Sequence, residues 1–282
     1  DPRMTVRDII RLLTDAGIDP ADARSEARLL VTHFTGKPAS YLLVHPDEDF
    51  ASPALTAAAE KRAGRYPLQY IVGTWEFYGL PFAVNEHTLI PRPDTELIAE
   101  AAIRHTPANG TVLDLCTGSG CIGLALAHRI KDARVTLADI SPEALAVAKK
   151  NVISQKLSAR VSCIQADALS PAPAFLGKFD MIVSNPPYID AKDMEGLEVS
   201  VKDFEPHMAL FGGEDGLDFY RSITENYRHI LKPGGYLCYE FGEDQGDDVC
   251  DILAANGFTV RQRVKDFCGT ERAVIAQYCV EE

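Results

Sequence analysis

The chain has 282 residues, and 28 lysines and arginines against 41 aspartates and glutamates give it a formal net charge of −13. A hydrophobic share of 46% with 24% charged residues is ordinary for a globular protein and excludes wholesale disorder. No apolar run reaches the roughly 18 residues of a membrane span, and no signal-peptide-like segment opens the chain. We therefore expect a cytoplasmic protein with no membrane partner, built as one large domain or two unequal ones.

The acidic balance argues against direct binding of nucleic acid. Proteins that bind nucleic acid neutralise its phosphates with clustered lysine and arginine, and the sequence shows no such cluster. Net charge does not exclude a local basic patch. Nucleic acid therefore remains an alternative partner rather than the expected one.

The seven cysteines and seven histidines indicate neither a disulfide framework nor a metal site. The number of cysteines is odd, no C-x-x-C pair occurs, and Cys163 and Cys238 lie in apolar, strand-like runs. Buried reduced thiols are the simplest expectation. The histidines are scattered and form no H-E-x-x-H, so we expect no metal.

The first part of the chain is predicted to be helical. Thr5 and Asp8 have the spacing of a capping box, and Asp19-Pro20 begins a second helix that ends near Gly36. This segment has no catalytic constellation. We expect residues 1–74 to form a small helical domain that docks a substrate.

A β-hairpin is predicted to join this domain to the rest. Residues 77–84 and 88–90 alternate like strands, and Asn85-Glu86-His87 lies between them as the expected turn. Pro91-Arg92-Pro93 follows as a hinge. We expect residues 75–93 to be the linker.

Residues 94–282 alternate between strand and helix patterns. The predicted strands are 112–115, 135–139, 161–165, 181–184, 236–240, 258–263 and 273–278. Such alternation predicts an α/β domain with a doubly wound, mostly parallel sheet of seven strands. In such sheets ligands bind beyond the carboxyl ends of the strands.

A glycine-rich turn follows the first of these strands. It contains Gly118-x-Gly120-x-x-Gly123, and Asp139 comes 21 residues after Gly118. By pattern alone this matches the dinucleotide fingerprint, with Asp139 placed for ribose hydroxyls. A nicotinamide cofactor and a tight turn that needs glycine only for its backbone angles are both compatible with it.

The preceding acid favours a different ligand. Asp114 would repel a pyrophosphate, whereas it would suit the ammonium or sulfonium end of S-adenosylmethionine. Glycines at 118 and 120 would let the backbone approach that ligand closely. After the third strand, Asp167 is a candidate acceptor for the adenine amino group or an ordinary solvated acid. Ala168 could offer the adenine only backbone or packing contact.

The most specific pattern is Asn185-Pro186-Pro187-Tyr188, directly after a predicted strand. The prolines lack N–H groups and fix φ, so the loop is stiff and its carbonyl groups stay available. The side-chain oxygen of Asn185 and the backbone oxygen of Pro186 are two acceptors for the two hydrogens of a planar –NH₂ group. Tyr188 can lie against that plane.

This arrangement predicts methyl transfer to nitrogen. The lone pair of a planar –NH₂ is delocalised, and hydrogen bonds to Asn185 and Pro186 would aim it and favour the positive charge that develops as the methyl arrives. No general base is needed before the transfer. Adenine N6, cytosine N4 and a glutamine amide all present such a group, and the pattern does not choose between them.

The chain as a whole resembles the peptide chain release factor N5-glutamine methyltransferases (HemK/PrmC). The segments that show the resemblance, besides the helical start, are Pro67–Gly73, Phe77–Phe82, Leu89–Glu96, Asp114–Gly120, Asn185–Tyr188, Glu205–Leu217, Pro233–Gly235 and Glu240–Gln245, together with the single residues Asp266, Gly269 and Arg272. Amino methyltransferases in general share only the glycine turn and the Asn-Pro-Pro-Tyr pattern. The segments at 90–96 and 205–217 make the resemblance specific.

The resemblance implies a Rossmann-like class I methyltransferase fold and an enzyme that methylates the glutamine of the Gly-Gly-Gln motif in release factors. It implies that Asn185 to Tyr188 hold this glutamine and that the helical domain helps to dock the release factor. The cofactor, S-adenosylmethionine with S-adenosylhomocysteine as product, is expected to contact Asp114, Cys116, Thr117, Gly118, Ser119, Gly120, Asp139, Asp167, Ala168 and Asn185.

Two residues depart from the family pattern. Cys116 stands where the family often has glycine, which costs little if its backbone angles are ordinary. Ala168 stands where some members have an aromatic residue, so stacking on the adenine is either weaker or supplied by another residue. The alternatives are an N6-adenine or N4-cytosine methyltransferase of nucleic acid and a module that binds S-adenosylmethionine without catalysis. Nothing in the sequence requires more than a monomer.

Overall fold

The computed structural model describes residues 2–279. In this part of the chain the helices are α1 Val6–Asp15, α2 Pro20–Thr35, α3 Ala39–Val44, α4 Pro53–Ala63, α5 Leu68–Val72, α6 Glu96–His105, α7 Cys121–Arg129, α8 Pro142–Ser154, α9 Ala191–Glu195, α10 Val199–Lys202, α11 Asp218–Tyr227 and α12 Gly246–Ala255. The strands are β1 Thr74–Phe77, β2 Leu80–Ala83, β3 Thr111–Leu115, β4 Arg134–Asp139, β5 Val161–Gln165, β6 Phe179–Ser184, β7 Leu231–Glu240, β8 Phe258–Lys265 and β9 Glu271–Tyr278. None of these helices is both long and apolar enough to cross a membrane.

The chain forms two compact units. The first unit runs through Thr74 and also takes in Glu198–Phe204. The second unit comprises Trp75–Leu197 and the chain from Glu205 onward. No sequence pattern indicated that a segment from the middle of the chain packs with its beginning.

The first two helices of the first unit form where the sequence predicted. The Thr5 hydroxyl accepts from the Asp8 N–H at 3.0 Å while the Asp8 carboxylate accepts from the Thr5 N–H at 2.9 Å, so the capping box is confirmed. Asp19 caps α2, and Gly36, with φ of +74°, ends it.

Glu198–Phe204 is held in the first unit by polar and aromatic contacts. Arg62, which pairs with the carboxylate of Glu26, also donates from Nη1 to the Ser200 hydroxyl at 3.3 Å. The Arg65 guanidinium lies 2.8 Å from the Glu198 carboxylate. The rings of Tyr66 and Phe204 meet edge to face with centroids 5.3 Å apart. These contacts fix the segment on the first unit.

The β-hairpin lies earlier in the chain than the sequence predicted. β1 and β2 pair around Tyr78-Gly79, and both turn residues have positive φ, at +54° and +75°. Turns of this type match the twist of a two-stranded ribbon. The predicted strand at 88–90 is wrong, because the Asn85 side chain accepts from the His87 N–H at 2.9 Å and closes a local turn instead.

The second unit is built on a seven-stranded sheet within the described residues, in the order β5-β4-β3-β6-β7-β9-β8. β3 pairs in parallel with both β4 and β6, whereas β9 runs antiparallel to β7 and β8. The predicted doubly wound, mostly parallel sheet is confirmed. Because the chain crosses from one side of β3 to the other, the loops after β3, β4 and β6 open onto one crevice.

Helices cover both faces of this sheet. One core packs α6, α7 and α8 with the hairpin residues Phe77 and Phe82, and the other packs α11 and α12 around Tyr220 and Leu253. Gly123 lets α7 approach the sheet, since a Cβ added there would lie 2.3 Å from Leu137 Cδ2.

The expectation of buried cysteines is only partly right. All seven are free thiols, and Cys121 and Cys238 are buried. Cys163, in β5, is half-buried, and Cys268 and Cys279 are exposed because they follow the ends of β8 and β9.

Candidate active site

A cavity of about 420 Å³ lies at the carboxyl ends of β3, β4, β5 and β6. Its walls include Cys116 and Gly118 after β3, Asp139 at the end of β4, and Asn185 after β6. Every residue of the wall belongs to the second unit. A cavity of this size suits a small-molecule ligand.

Asp139 is oriented by the backbone around it. One carboxylate oxygen accepts from the Gly118 N–H at 2.9 Å, and the other accepts from the Ser141 N–H at 3.0 Å. Each oxygen retains a second lone pair for a donor in the cavity. Burial raises the pKa of Asp139, although hydrogen bonds from Ser141 and Gly118 oppose this effect.

Only part of the glycine turn borders the cavity. Cys116 and Gly118 border the cavity, whereas Thr117, Ser119 and Gly120 are not part of its wall among the described residues. The Thr117 N–H donates to the Ala138 carbonyl at 2.9 Å and so ties the turn to β4.

Cys116 has φ of +63°, in the left-handed region. The condition under which cysteine would cost little here is therefore not met, because a side chain in this conformation costs roughly 1–2 kcal/mol relative to glycine. Burial also raises the pKa of its thiol well above the usual value. The thiol is thus kept neutral beside the carboxylate of Asp139.

Asp114 lies behind the turn rather than in the cavity wall. Its Oδ2 atom accepts from the Thr117 hydroxyl at 2.7 Å and from the Gly123 N–H at 2.9 Å, which links the turn to the start of α7. Its Oδ1 atom is buried with no hydrogen-bond partner among residues 2–279. Burial raises the pKa of Asp114 to about 7, against the hydrogen bonds from Thr117 and Gly123.

Asp167 and Ala168 both border the cavity. The Asp167 carboxylate accepts from the Leu169 N–H at 2.9 Å and from the Ser170 hydroxyl at 3.0 Å, so it closes its own loop. Ala168 is buried, and its carbonyl accepts from the Ser222 hydroxyl at 2.7 Å.

The Asn-Pro-Pro-Tyr loop lies between the cavity and the interior. Asn185 and Pro187 border the cavity, and Pro186 and Tyr188 are not among the residues of its wall that the structure describes. The Asn185 Oδ1 atom is shielded from solvent and has no hydrogen-bond partner within residues 2–279. A buried carbonyl oxygen without a donor is destabilising by about 1–3 kcal/mol. This atom is therefore ready to accept from a ligand.

Tyr188 faces a different environment. Burial raises its pKa to about 12, with a further contribution from the nearby Glu240 carboxylate. Its backbone carbonyl accepts from Gln245 Nε2 at 2.9 Å. The ring lies close to Gly242, where an added Cβ would be 3.2 Å from Tyr188 Cδ2.

An ion pair between a partly exposed arginine and a buried carboxylate holds the segment before α6 against the segment after α10. The Glu205 side chain is 3% exposed and accepts from Arg92 Nη1 at 2.8 Å and from the Ile90 N–H at 3.0 Å. Beside it, the Thr95 hydroxyl donates to the buried carboxylate of Glu240 at 2.6 Å. The sequence resemblance included both segments but gave them no role.

Several apolar residues of the cavity wall were not predicted. They include Ile140, Leu169, Met208 and Phe219. Ile140 and Leu169 directly follow Asp139 and Ala168, so their position just beyond strand ends was the signal available. Met208 and Phe219 belong to loop 205–217 and to α11, and no pattern places these beside the glycine turn.

Comparison with known proteins identifies the family. A model described as PrmC N-terminal domain matches residues 5–73, and one described as Methyltransferase small domain matches residues 94–201. A release factor glutamine methyltransferase from Clostridium acetobutylicum is 40% identical over 256 residues, which cover 89% of this chain and 90% of that protein. This chain belongs to the release factor glutamine methyltransferase family.

Other relatives of the release factor glutamine methyltransferase family agree. The protein of that name from Moorella thermoacetica is 40% identical over 280 residues, with 97% of each chain covered. A crystal structure of a methyltransferase from Pyrococcus furiosus superposes with a TM-score of 0.53 at 18% identity, covering 72% of this chain and 91% of that one, and shares the fold. The protein is a methyltransferase, and the resemblance read from the sequence is confirmed.

Proposed function

We propose that the protein transfers a methyl group from S-adenosylmethionine to the side-chain amide nitrogen (N5) of the glutamine in the Gly-Gly-Gln motif of peptide chain release factors. The observation that supports this most is the buried, unpartnered Oδ1 of Asn185 at the border of the cavity. The names of the relatives point to the same substrate class.

The residues of the cavity fit S-adenosylmethionine. The carboxylate of Asp139 offers free lone pairs to ribose hydroxyls, and no atom lies within 4 Å of the position that a Cβ on Gly118 would take. Ile140 and Leu169 supply apolar surface for a base, which compensates for the small Ala168. Asp114 acts from behind, where it holds Thr117 and the start of α7.

The chain's own residues orient the target amide so that its nitrogen can accept the methyl group. S-adenosylmethionine, when bound, supplies a methyl group that its sulfonium makes electrophilic. Asn185 and Pro186 accept the two amide hydrogens and turn the nitrogen lone pair in one direction. The same acceptors stabilise the positive charge that develops on nitrogen before it releases a proton. Tyr188 provides a flat face with a neutral hydroxyl, because its pKa is raised to about 12.

The same proposal assigns the rest of the molecule. Residues 1–74 dock the release factor, residues 75–93 link the domains, and residues 94–282 form the catalytic domain, except that Glu198–Phe204 belongs to the first unit. The last three residues of the catalytic domain lie outside the described part. The protein acts as a cytoplasmic monomer and does not bind nucleic acid directly. The net charge of −13 supports the absence of direct nucleic-acid binding.

Mass spectrometry of a folded release factor incubated with the enzyme and S-adenosylmethionine tests this function. We expect one added methyl group, located on the glutamine of the Gly-Gly-Gln motif. A folded factor that stays unmethylated, with methyl groups appearing on adenine or cytosine of DNA or RNA instead, contradicts it.

A further inference from the structure

The turn between β8 and β9 presents one aromatic side chain to solvent. Phe267 is fully exposed. The Asp266 carboxylate accepts from the Cys268 N–H at 2.9 Å and from the Thr270 N–H at 3.0 Å, and it accepts from Arg272 Nε at 3.0 Å. The turn is thus held in shape from inside while its aromatic residue points outward.

The base of this turn lies next to the Asn-Pro-Pro-Tyr loop. The carbonyl of Arg272 accepts from the Phe241 N–H at 3.0 Å. The following residue, Gly242, is the one whose added Cβ would lie 3.2 Å from the ring of Tyr188. The guanidinium of Arg272 also lies 3.9 Å from Asp94, in the segment before α6. The turn therefore extends from the immediate surroundings of Tyr188.

We infer that Phe267 is a docking residue that packs into an apolar pocket on the folded release factor, beside the loop that presents the target glutamine. This inference rests on the proposed function. The hydrogen bonds of Asp266 already hold the backbone of the turn, and a phenylalanine side chain has only two rotatable bonds, so little conformational entropy is lost when Phe267 binds. A protein substrate whose glutamine reaches Tyr188 must cover the neighbouring surface, and Phe267 is the fully exposed aromatic residue of the turn that starts there.

Steady-state kinetics with a full-length release factor test the inference. We expect Phe267→Ala to lower kcat/KM by about tenfold, mainly through KM, as is usual for truncating an aromatic contact. Phe267→Leu should restore most of this loss because it keeps apolar surface. Phe175→Ala is the matched control, since Phe175 is also exposed but lies before the opposite, amino end of β6. It should leave kcat/KM unchanged.

The outcomes separate this inference from the proposed function. If the wild-type protein methylates the release factor and Phe267→Ala matches Phe175→Ala, the inference is overturned and the proposed function stands. If Phe267→Ala changes the oligomeric state in gel filtration and leaves KM unchanged, the surface binds a second copy instead, which also overturns it. If the wild-type protein methylates no release factor, the proposed function fails and this inference with it. Thermal unfolding and cofactor affinity should be equal in all variants.

Discussion

Both carboxylate oxygens of Asp139 point at backbone N–H groups, and each keeps a lone pair toward the cavity. We predict that Asp139→Ala weakens S-adenosylmethionine binding by about 1.5–3 kcal/mol, the usual contribution of hydrogen bonds to a charged group. Calorimetric titration measures this directly. Asp251→Ala, which removes an exposed acid of α12, is the control. Equal affinities in the two variants would remove Asp139 from the ribose site.

A buried acid near Tyr188 makes stability depend on pH. Burial raises the pKa of Glu240 from 4.5 to about 7, and the Thr95 hydroxyl donates to its carboxylate at 2.6 Å. Between these pH values the folded chain binds more protons than the unfolded chain. Its free energy of unfolding therefore falls as the pH rises through this window.

Glu240→Gln should remove that part of the pH dependence. A neutral glutamine still accepts from Thr95. In the wild type, we expect Glu240 to lower the free energy of unfolding by on the order of 3 kcal/mol between about pH 5 and about pH 8, and this decrease should be absent in the variant. Urea unfolding across this range measures it, with exposed Glu243→Gln as control. A variant whose decrease equals that of the wild type would show that Glu240 is ionised throughout. Asp114, with a pKa also raised to about 7, retains its own contribution.

Single residues also show where sequence patterns stop being informative. The acid at 139 and the asparagine at 185 could be predicted because chemistry and position at strand ends agree, and both border the cavity. The positive φ of Cys116 could not be predicted, because a cysteine in the sequence does not indicate a left-handed backbone conformation. Asp114 follows the expected pattern, yet its contacts are with Thr117 and Gly123 behind the turn.

At the level of elements, one ion pair joins two segments that are distant in sequence. Glu205, 3% exposed, is bound by Arg92 and by the Ile90 N–H. We predict that Arg92→Ala lowers the free energy of unfolding by about 3 kcal/mol, because it leaves a buried carboxylate without its cation. Arg221→Ala breaks an exposed pair with Asp215 and should cost less than about 1 kcal/mol.

Urea unfolding of both variants checks this prediction. If the two substitutions cost the same, Glu205 must be solvated in solution, and the segment at 205–217 is not anchored through Arg92.

Elements with strong local signals were predicted well. The capping box at Thr5 forms, and the strands of the main sheet differ from prediction mostly at their ends. The hairpin was misplaced because Tyr78, a residue that rarely takes positive φ, provides half of its turn. The short helix α10 has no periodic pattern that could have revealed it.

For the whole molecule, the two-unit division has a consequence for Glu198–Phe204. Its described contacts with Arg62, Arg65 and Tyr66 all come from the first unit. A chain that begins at Trp75 lacks these three residues, so we predict that trypsin cleaves it after Lys202 at least about tenfold faster than the full chain.

The control for this prediction lies in the second unit. Cleavage after Lys192, in α9, should not change, and S-adenosylmethionine affinity should be retained because the cavity wall is entirely in the second unit. Timed digestion followed by mass spectrometry measures both cleavages. Equal rates after Lys202 in the two chains would show that the first unit does not protect this segment.

The central claim is that Asn185 accepts the hydrogens of the target amide during methyl transfer. Single-turnover methylation of a release factor by Asn185→Ala, with calorimetric titration of S-adenosylmethionine, tests it most directly. We predict a rate about 10²–10³ lower than that of the wild type, the usual loss for one preorganised hydrogen-bonding group, with cofactor affinity largely retained. Equal rates in variant and wild type would contradict the claim.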